Sequence, residues 1–500
     1  MKPIYETNYY YLVIQSKEKV MEEEMKITNM FGKVFAVIAL LALLGACAPA
    51  PAAAPTAAPA PTTAPAATTA PAAVSATATM GKAQDVVTWF EFDQNNTDPK
   101  ADEAVGNAAI RQAIPLFNQQ FAGQWNWANN SVAFDQKDAQ LIAAVQAGGQ
   151  VPDVFEATLG INSFYQHGSL QDLTDWAKAQ PWYSDIDPNV LPVCTGPDGK
   201  LYCIPVTERP QVVYVWKDLY PNGFPTSEAD FMTQAAALKT KGHYALTFFG
   251  STDENGEATT RAYDDILQSY GGAVDDGHGK MLLDTPQNIA AIQFLRTIVA
   301  KGYVPDIAFA GGFQEESAFS DSSAGAFPTG ADGYNYLTPL TAPSGKTYTK
   351  GNQQDFLDAV AAGDIYLSPF FSNVPGQKPG CDIFSTALSI PVGAKNVDGA
   401  KAFINWMMGT QENAQFAFGI GGVSALKSGQ SNAVFQIPYF QELAKVTTQE
   451  ACKPWYGTLT DQSAAEPLVA AVFYQLVKQT PNAAIPAALD AAAAQYNSNH

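Results

Sequence analysis

The chain is 500 residues long, 47% hydrophobic, and carries a formal net charge of −20. That length exceeds one ordinary core and points to two or three domains. Its acidic residues are scattered rather than blocked, and it lacks the basic face that nucleic acid or anionic lipid demands, so neither is expected as a partner.

Residues 1–24 mix charge and aromatics without a usable period, while Met25 and Met30 stand just ahead of an apolar run. We read Met25 as the start, which makes residues 1–24 an over-long beginning and residues 1–46 a signal peptide. Lys26 and Lys33 supply its positive region and Val34–Leu44 its apolar region, of about 11 residues. A membrane-spanning helix wants about 20. Leu44-Gly45-Ala46-Cys47 resembles the lipobox of bacterial lipoproteins, which implies a diacylglycerol on Cys47; the alternative is plain cleavage after a small residue. Residues 48–80 are almost entirely Ala, Pro and Thr, too poor in apolar periodicity to fold and biased by proline toward extended chain. Residues 47–80 thus read as a lipidated cysteine and a tether reaching on the order of 100 Å at about 3.1 Å per residue. No later stretch is long and apolar enough to span a bilayer, so the lipid is the only membrane attachment expected.

Cys194, Cys203, Cys381 and Cys452 follow. An even number in an exported chain points to disulfides, and four cysteines allow three pairings. Cys194 and Cys203 flank the turn Gly196-Pro197-Asp198-Gly199, which favours their pairing and leaves Cys381 with Cys452. A zinc site would want close Cys-x-x-Cys pairs and nearby histidines; no metal and no cofactor are expected.

In chain order, Asp85–Phe92 reads as a strand and Asp93–Asp98 as the loop after it. Ala104–Phe121 carries a helical stripe of Ala108, Ile114, Phe117 and Phe121 despite Pro115. Lys137–Ala147 repeats the pattern up to the stop Gly148-Gly149, and Val151–Phe155 is a short strand before the loop Glu156–Thr158. Strand, helix and strand in alternation imply a parallel sheet, whose ligands bind in loops after strand C-termini. Leu201–Val206 and Val212–Trp216 read as two strands separated by Thr207-Glu208-Arg209-Pro210, since proline cannot donate to a ladder. We place a crossing between two lobes at this break. Ser227–Lys239 is helical and Tyr244–Phe249 a strand. Thr285–Lys301 is a helix capped by Asp284 or Thr285, started by Pro286 and ended by Gly302. Ser323–Gly330 is a strand and turn ahead of Tyr334 and Tyr336. Residues 340–380 are loop-rich around a helical piece, Gln353–Ala362. Cys381–Pro391 is a strand with an abrupt change of character, Asp398–Met408 a capped helix, Thr410–Phe416 another, and Pro467–Lys478 and Pro481–Tyr496 alanine-rich helices.

In this order, Gly149-Gln-Val-Pro-Asp-Val-Phe155, Leu170-Gln-Asp-Leu-Thr174, Gly199-Lys-Leu-Tyr-Cys-Ile-Pro205 leading to Lys217-Asp-Leu-Tyr220, Ile383–Pro391 and Gly421-Gly422-Val423 resemble the carbohydrate-binding solute receptors of ABC importers, the family related to maltose-binding protein. The resemblance covers about 350 residues. It implies a periplasmic-binding-protein-like α/β fold: lobe one from 85–206 plus 386–432, lobe two from 209–383 plus 434–500, crossings near Val206–Val212 and Phe384–Ser389, and a ligand enclosed by hinge closure. It also implies a monomer whose partners are a small solute, carbohydrate in this family, and the transmembrane subunits of an ABC permease. Cys203 stands where the family usually has glycine, and Val215-Trp216 replaces the customary Tyr-Asn.

A sugar offers hydroxyls for carboxylate, amide or guanidinium partners and flat C–H faces for aromatic rings. Asp93, Gln94, Asn95, Glu156, Glu208 and Arg209 are the polar candidates, and Phe249, Tyr263, Tyr334 and Tyr336 the stacking candidates; Trp89 and Arg261 are weaker. Polyamines and amino acids are alternative solutes, and a membrane sensor is an alternative partner. Adjacent carboxylates such as Asp264-Asp265 do not establish the separation a glycosidase needs, and no nucleophile elbow or phosphate loop is present, so no enzyme is expected. If Cys47 bears the anchor, Cys47→Ser releases the protein into culture supernatant; undiminished membrane retention of the variant, on immunoblots of fractionated cells, contradicts it.

Overall fold

The computed structural model describes residues 83–98, 101, 104–158, 161–252, 257–351, 353–480 and 482–500, all within one compact unit, Ala78–His500. The expected signal peptide, Cys47 and the tether lie outside the described residues. Strand β1 (Gln84–Phe90) leads through helix α1 (Ala104–Gln120) to β2 (Trp125–Ser131), and α2 (Phe134–Gln146) leads on to β3 (Val154–Ala157). β1 pairs parallel with both β2 and β3, because strands joined by helical crossovers return in the same direction. Val86 and Phe90 alternate into a core shared with Phe117, Trp127, Phe403 and Trp406. Their rings meet mostly edge-on or tilted, with Trp127 and Phe403 centred 4.7 Å apart, as ring quadrupoles favour.

β4 (Ile204–Pro205) belongs to this first sheet, and β5 (Thr207–Trp216) begins two residues later. β5 is one ten-residue strand, where two strands with a break were expected. Pro210 is accommodated because β5 changes neighbours there. Thr207 and Glu208 face Ser424 and Val423, Arg209 and Pro210 face Phe384 and Ile383, and Gln211 onward faces two further strands. A residue without an N–H is tolerated where the ladder is handed over.

Past β5, α3 (Glu257–Ser269) and α4 (Pro286–Ala300) precede β6 (Ala326–Gly330) and β7 (Ile365–Ser368), both antiparallel to β5. Thr285 caps α4 by accepting from the Asn288 N–H, and Pro286 occupies its first turn, as expected. The segment 244–249 runs beside β6 but makes only scattered ladder bonds, such as Thr247 N–H to Ala326 O, so it is not a regular strand. The chain then returns through β8 (Gly380–Phe384), in the second sheet, to β9 (Ala387–Ser389), in the first. α5 (Val397–Met407), α6 (Thr410–Gly419), β10 (Val423–Ser424) and β11 (Ala451–Lys453) follow. The first sheet is ordered β2-β1-β3-β9-β4 and the second β10-β5-β8-β11. Each sheet has its own hydrophobic core, and the fold is a two-lobed α/β structure.

Both crossings are buried and polar. Thr207, Ser385 and Thr386 are each 0% exposed. The Ser385 hydroxyl donates to Thr207 O at 2.6 Å, the Thr386 N–H to Thr207 Oγ1 at 2.8 Å, and the Val206 N–H to Thr386 O at 2.9 Å. The disulfides Cys194–Cys203 and Cys381–Cys452 are both formed. Among the described residues no helix is long and apolar enough to cross a membrane.

The second lobe buries acids. Asp264, Asp265 and Glu450 are almost fully enclosed, and burial holds each carboxyl well above the ordinary carboxylate range, reinforced at Asp264 by the nearby Asp382. Burial, with Asp187 near it, also pushes Glu208 up to about 7. These acids bind protons more tightly folded than unfolded. Their contribution to stability is therefore present below their unfolded pKa and is lost as pH rises through the folded one. The melting temperature should be higher at pH 5 than at pH 8, read by calorimetry without added ligand; a melting temperature that rises with pH contradicts these assignments.

Candidate functional site

A cavity of about 470 Å³ opens between the lobes. Glu91 and Phe92 after β1, Val105 and Gly106 at the start of α1, Phe134 of α2 and Thr158 after β3 form one wall. Arg209 and Gln211 of β5, with Phe384 and Ile420, form the back beside the crossings. Phe249, Ala262, Phe313, Glu316, Thr329, Asp332, Asn335 and Tyr336 form the opposite wall. A Cβ on Gly106 would meet the Phe92 ring at 2.1 Å, so glycine is what lets that ring lie against the helix. Phe313 is held at φ 57° after two positive-φ glycines, a conformation costing a non-glycine residue about 1 kcal/mol. Its ring is 51% exposed and meets Phe249 edge-on at 6.1 Å.

Of the residues singled out from the sequence, three line this cavity: Arg209, Phe249 and Tyr336. Glu156 lies behind its wall, 0% exposed. Glu208 projects from the other side of β5, where Gln430 donates to it at 3.4 Å, because successive side chains of a strand face opposite ways. Asp93 folds back on its own loop and accepts from the Asn95 N–H at 2.8 Å; Asn95 is exposed. The Gln94 amide is tied to Asn129 at 2.7 and 3.2 Å. Tyr263 and Tyr334 are core residues. Tyr263 packs edge-on against Phe473, and the Tyr334 hydroxyl donates to Phe418 O. Trp89 is half-buried at the edge of the first core, and the Arg261 side chain lies outside the described residues. Sequence reasoning missed Glu91, Gln211, Phe313 and Asp332. Alternation from Arg209 carried the signal for Gln211, two residues on.

The polar lining is incompletely satisfied. Arg209 Nη2 donates to Ile420 O, and Nη1 lies 3.7 Å from the Asp332 carboxylate. The guanidinium carbon sits 5.7 Å from the centre of the Phe384 ring. Arg209 Nε, Gln211 Oε1 and Asp332 Oδ1 are buried without a hydrogen-bond partner. Buried polar atoms are nearly always paired, so a cluster of three at one cavity is what a polar ligand would satisfy.

Behind the first wall, Lys137 is 1% exposed. Its ammonium donates to Thr158 Oγ1 at 2.7 Å and Glu91 Oε2 at 2.9 Å, and lies 3.4 Å from Glu156 Oε2. Burial pulls the Lys137 pKa down, but the Glu156 and Glu91 carboxylates outweigh it and leave the group above the ordinary lysine value. Burial raises Glu156, opposed by Lys137. Among the described residues, the metal-type side chains that come together are Cys381, Glu450 and Cys452, whose sulfurs are bonded to each other.

No curated protein matches the chain. Three solved structures with its fold are a maltose-bound MalE3 of T. maritima, the GacH receptor of Streptomyces glaucescens GLA.O, solved unliganded and with acarbose, and an ABC-transporter solute-binding protein of Agrobacterium radiobacter K84 in complex with ribitol. The first is 15% identical, with a TM-score of 0.65 over 83% of this chain and 100% of its own. The second is 17% identical, at 0.67 over 84% and 98%. The third is 16% identical, at 0.65 over 84% and 99%. A family model described as bacterial extracellular solute-binding protein matches residues 112–442, and the chain belongs to that family.

Proposed function

We propose that this protein is anchored outside the cytoplasm by a lipid on Cys47, encloses a sugar or small oligosaccharide between its lobes, and delivers it to an ABC permease without chemical change. The observation that carries this reading is the cavity between the lobes, lined by Arg209, Gln211 and Asp332, each of which keeps a buried polar atom without a partner, together with several aromatic rings. Hydroxyls can both donate and accept, so a sugar suits the guanidinium of Arg209, the amide of Gln211 and the carboxylate of Asp332 alike, while Phe249, Phe313 and Tyr336 offer faces for its C–H surfaces. The named ligands of the similar structures, maltose, acarbose and ribitol, support the same class. We assign 85–206 with 386–432 to one lobe and 209–383 with 434–500 to the other. The separation of the two cores supports this; Ala414 and Ala417 of α6 are exceptions that pack on the second core.

A thermal-shift screen of sugars, polyols, polyamines and amino acids tests the reading. Some sugar or polyol should raise stability by about 2.7 kcal/mol at a hundredfold excess over its dissociation constant, and chromatography should recover it unaltered. Hits on polyamines alone would sink the sugar reading, and cleaved glycan would sink the transport reading. Arg209→Met should weaken binding of the best sugar by about ten- to a hundredfold, the range for a hydrogen bond from a charged donor. Unchanged affinity in calorimetry would place the ligand elsewhere.

A further inference from the structure

Lys137 does not line the cavity, yet three groups that do are arranged around its ammonium. It donates to Thr158 Oγ1 and Glu91 Oε2 and lies 5.1 Å from the centre of the Phe134 ring. These groups come from three places in the chain: the end of β1, the first turn of α2 and the end of β3. An ammonium has three N–H donors, and Thr158, Glu91 and Glu156 take all three. Glu156 completes the arrangement from the other side, since its Oε2 also accepts the Glu91 N–H at 2.8 Å. Backbone and side chain of Glu91 are thus held by one buried pair.

We infer that Lys137 is the positioning residue of the lobe-one half of the site. Resting on the reading that the solute occupies this cavity, Lys137 fixes where the Glu91 carboxylate and Thr158 hydroxyl meet the solute without touching it. The charged groups around it are Glu91, Glu156, Asp138 beside it on α2, and Arg209 of β5 beyond Glu156. Without the ammonium, the cavity-facing Glu91 and the buried Glu156 are two neighbouring carboxylates with nothing between them. Such a pair cannot stay doubly ionised and takes up a proton. The loss of position then becomes sensitive to pH, which a lysine serving only as packing would not produce.

The test uses the full chain and its Lys137→Met and Lys137→Met/Glu156→Gln variants. Each is titrated by calorimetry at pH 5.5 and pH 8 with whichever of maltose, chitobiose, cellobiose, raffinose and ribitol stabilises the wild type most. Lys137→Met should bind at least tenfold more weakly than wild type at pH 8 and regain part of that loss at pH 5.5. The double variant removes the charge conflict, so its melting temperature should return toward wild type while its affinity stays low; it carries the test if the single variant does not fold. Affinity within twofold of wild type at both pH values, or a double variant that recovers affinity along with stability, overturns the positioning role. If the wild type responds to none of the five, the best sugar or polyol of the wider screen takes their place, and a wild type that responds to no sugar or polyol at all overturns the sugar reading beneath it instead.

Discussion

The lobes are joined where two passes of the chain share one set of buried hydrogen bonds. Thr207 is the centre of it, accepting from Ser385 through its carbonyl and from the Thr386 N–H through its hydroxyl. Bonds of this kind, sealed from water, are costly to leave unmade, so the two passes keep a fixed register. That register sets the back of the site as well. Thr207, Arg209 and Gln211 occupy alternate positions of β5, and a strand carries alternate side chains on one face. The crossing that joins the lobes therefore also aims the guanidinium and the amide into the space between them.

The rest of the cavity is built on less regular ground. Phe313 stands on a loop whose backbone only glycine adopts without cost, and Phe92 leans on a helix start where glycine leaves room for its ring. Phe92 is 5% exposed and belongs to the first core, whereas Phe313 keeps its costly backbone while 51% exposed, which packing alone does not account for. The aromatic lining and the polar side chains together make a space that a purely apolar molecule fills poorly. A buried donor or acceptor left unpaired discriminates sharply between ligands that can meet it and those that cannot.

Much of the architecture was legible in the sequence. The cap at Thr285, the proline after it and the stop at Gly302 act within one turn of chain, so the helix they bound could be read directly. β2 could not, because Trp-Asn-Trp-Ala-Asn-Asn-Ser has no β-branched residue and becomes a strand only by pairing with β1. Pro210 misled for the opposite reason: its meaning depends on which strand lies opposite, a fact of tertiary structure. At the site, the loops after β1 and β3 that were singled out do reach the cavity, but which of their residues line it turned on a position or two. Glu91 faces the cavity while Asp93 closes its own turn, and Glu208 differs from Arg209 only by the side of the strand. Tyr263 and Tyr334 show the limit most plainly, since a tyrosine at a wall and one in a core read alike until the neighbouring elements are in place.

β9 lies between β3 and β4 in the first sheet, although most of the second lobe separates it from them along the chain. The first lobe cannot close its sheet until Ala387–Ser389 arrive, by which point the residues of β5 through β8 have all been made. Emergence of the first two hundred residues thus leaves a sheet with an unfilled slot, and the contacts that complete it span long stretches of sequence. Such non-local pairing slows folding. Late completion of the leading lobe therefore keeps the chain loose until the second lobe has been made.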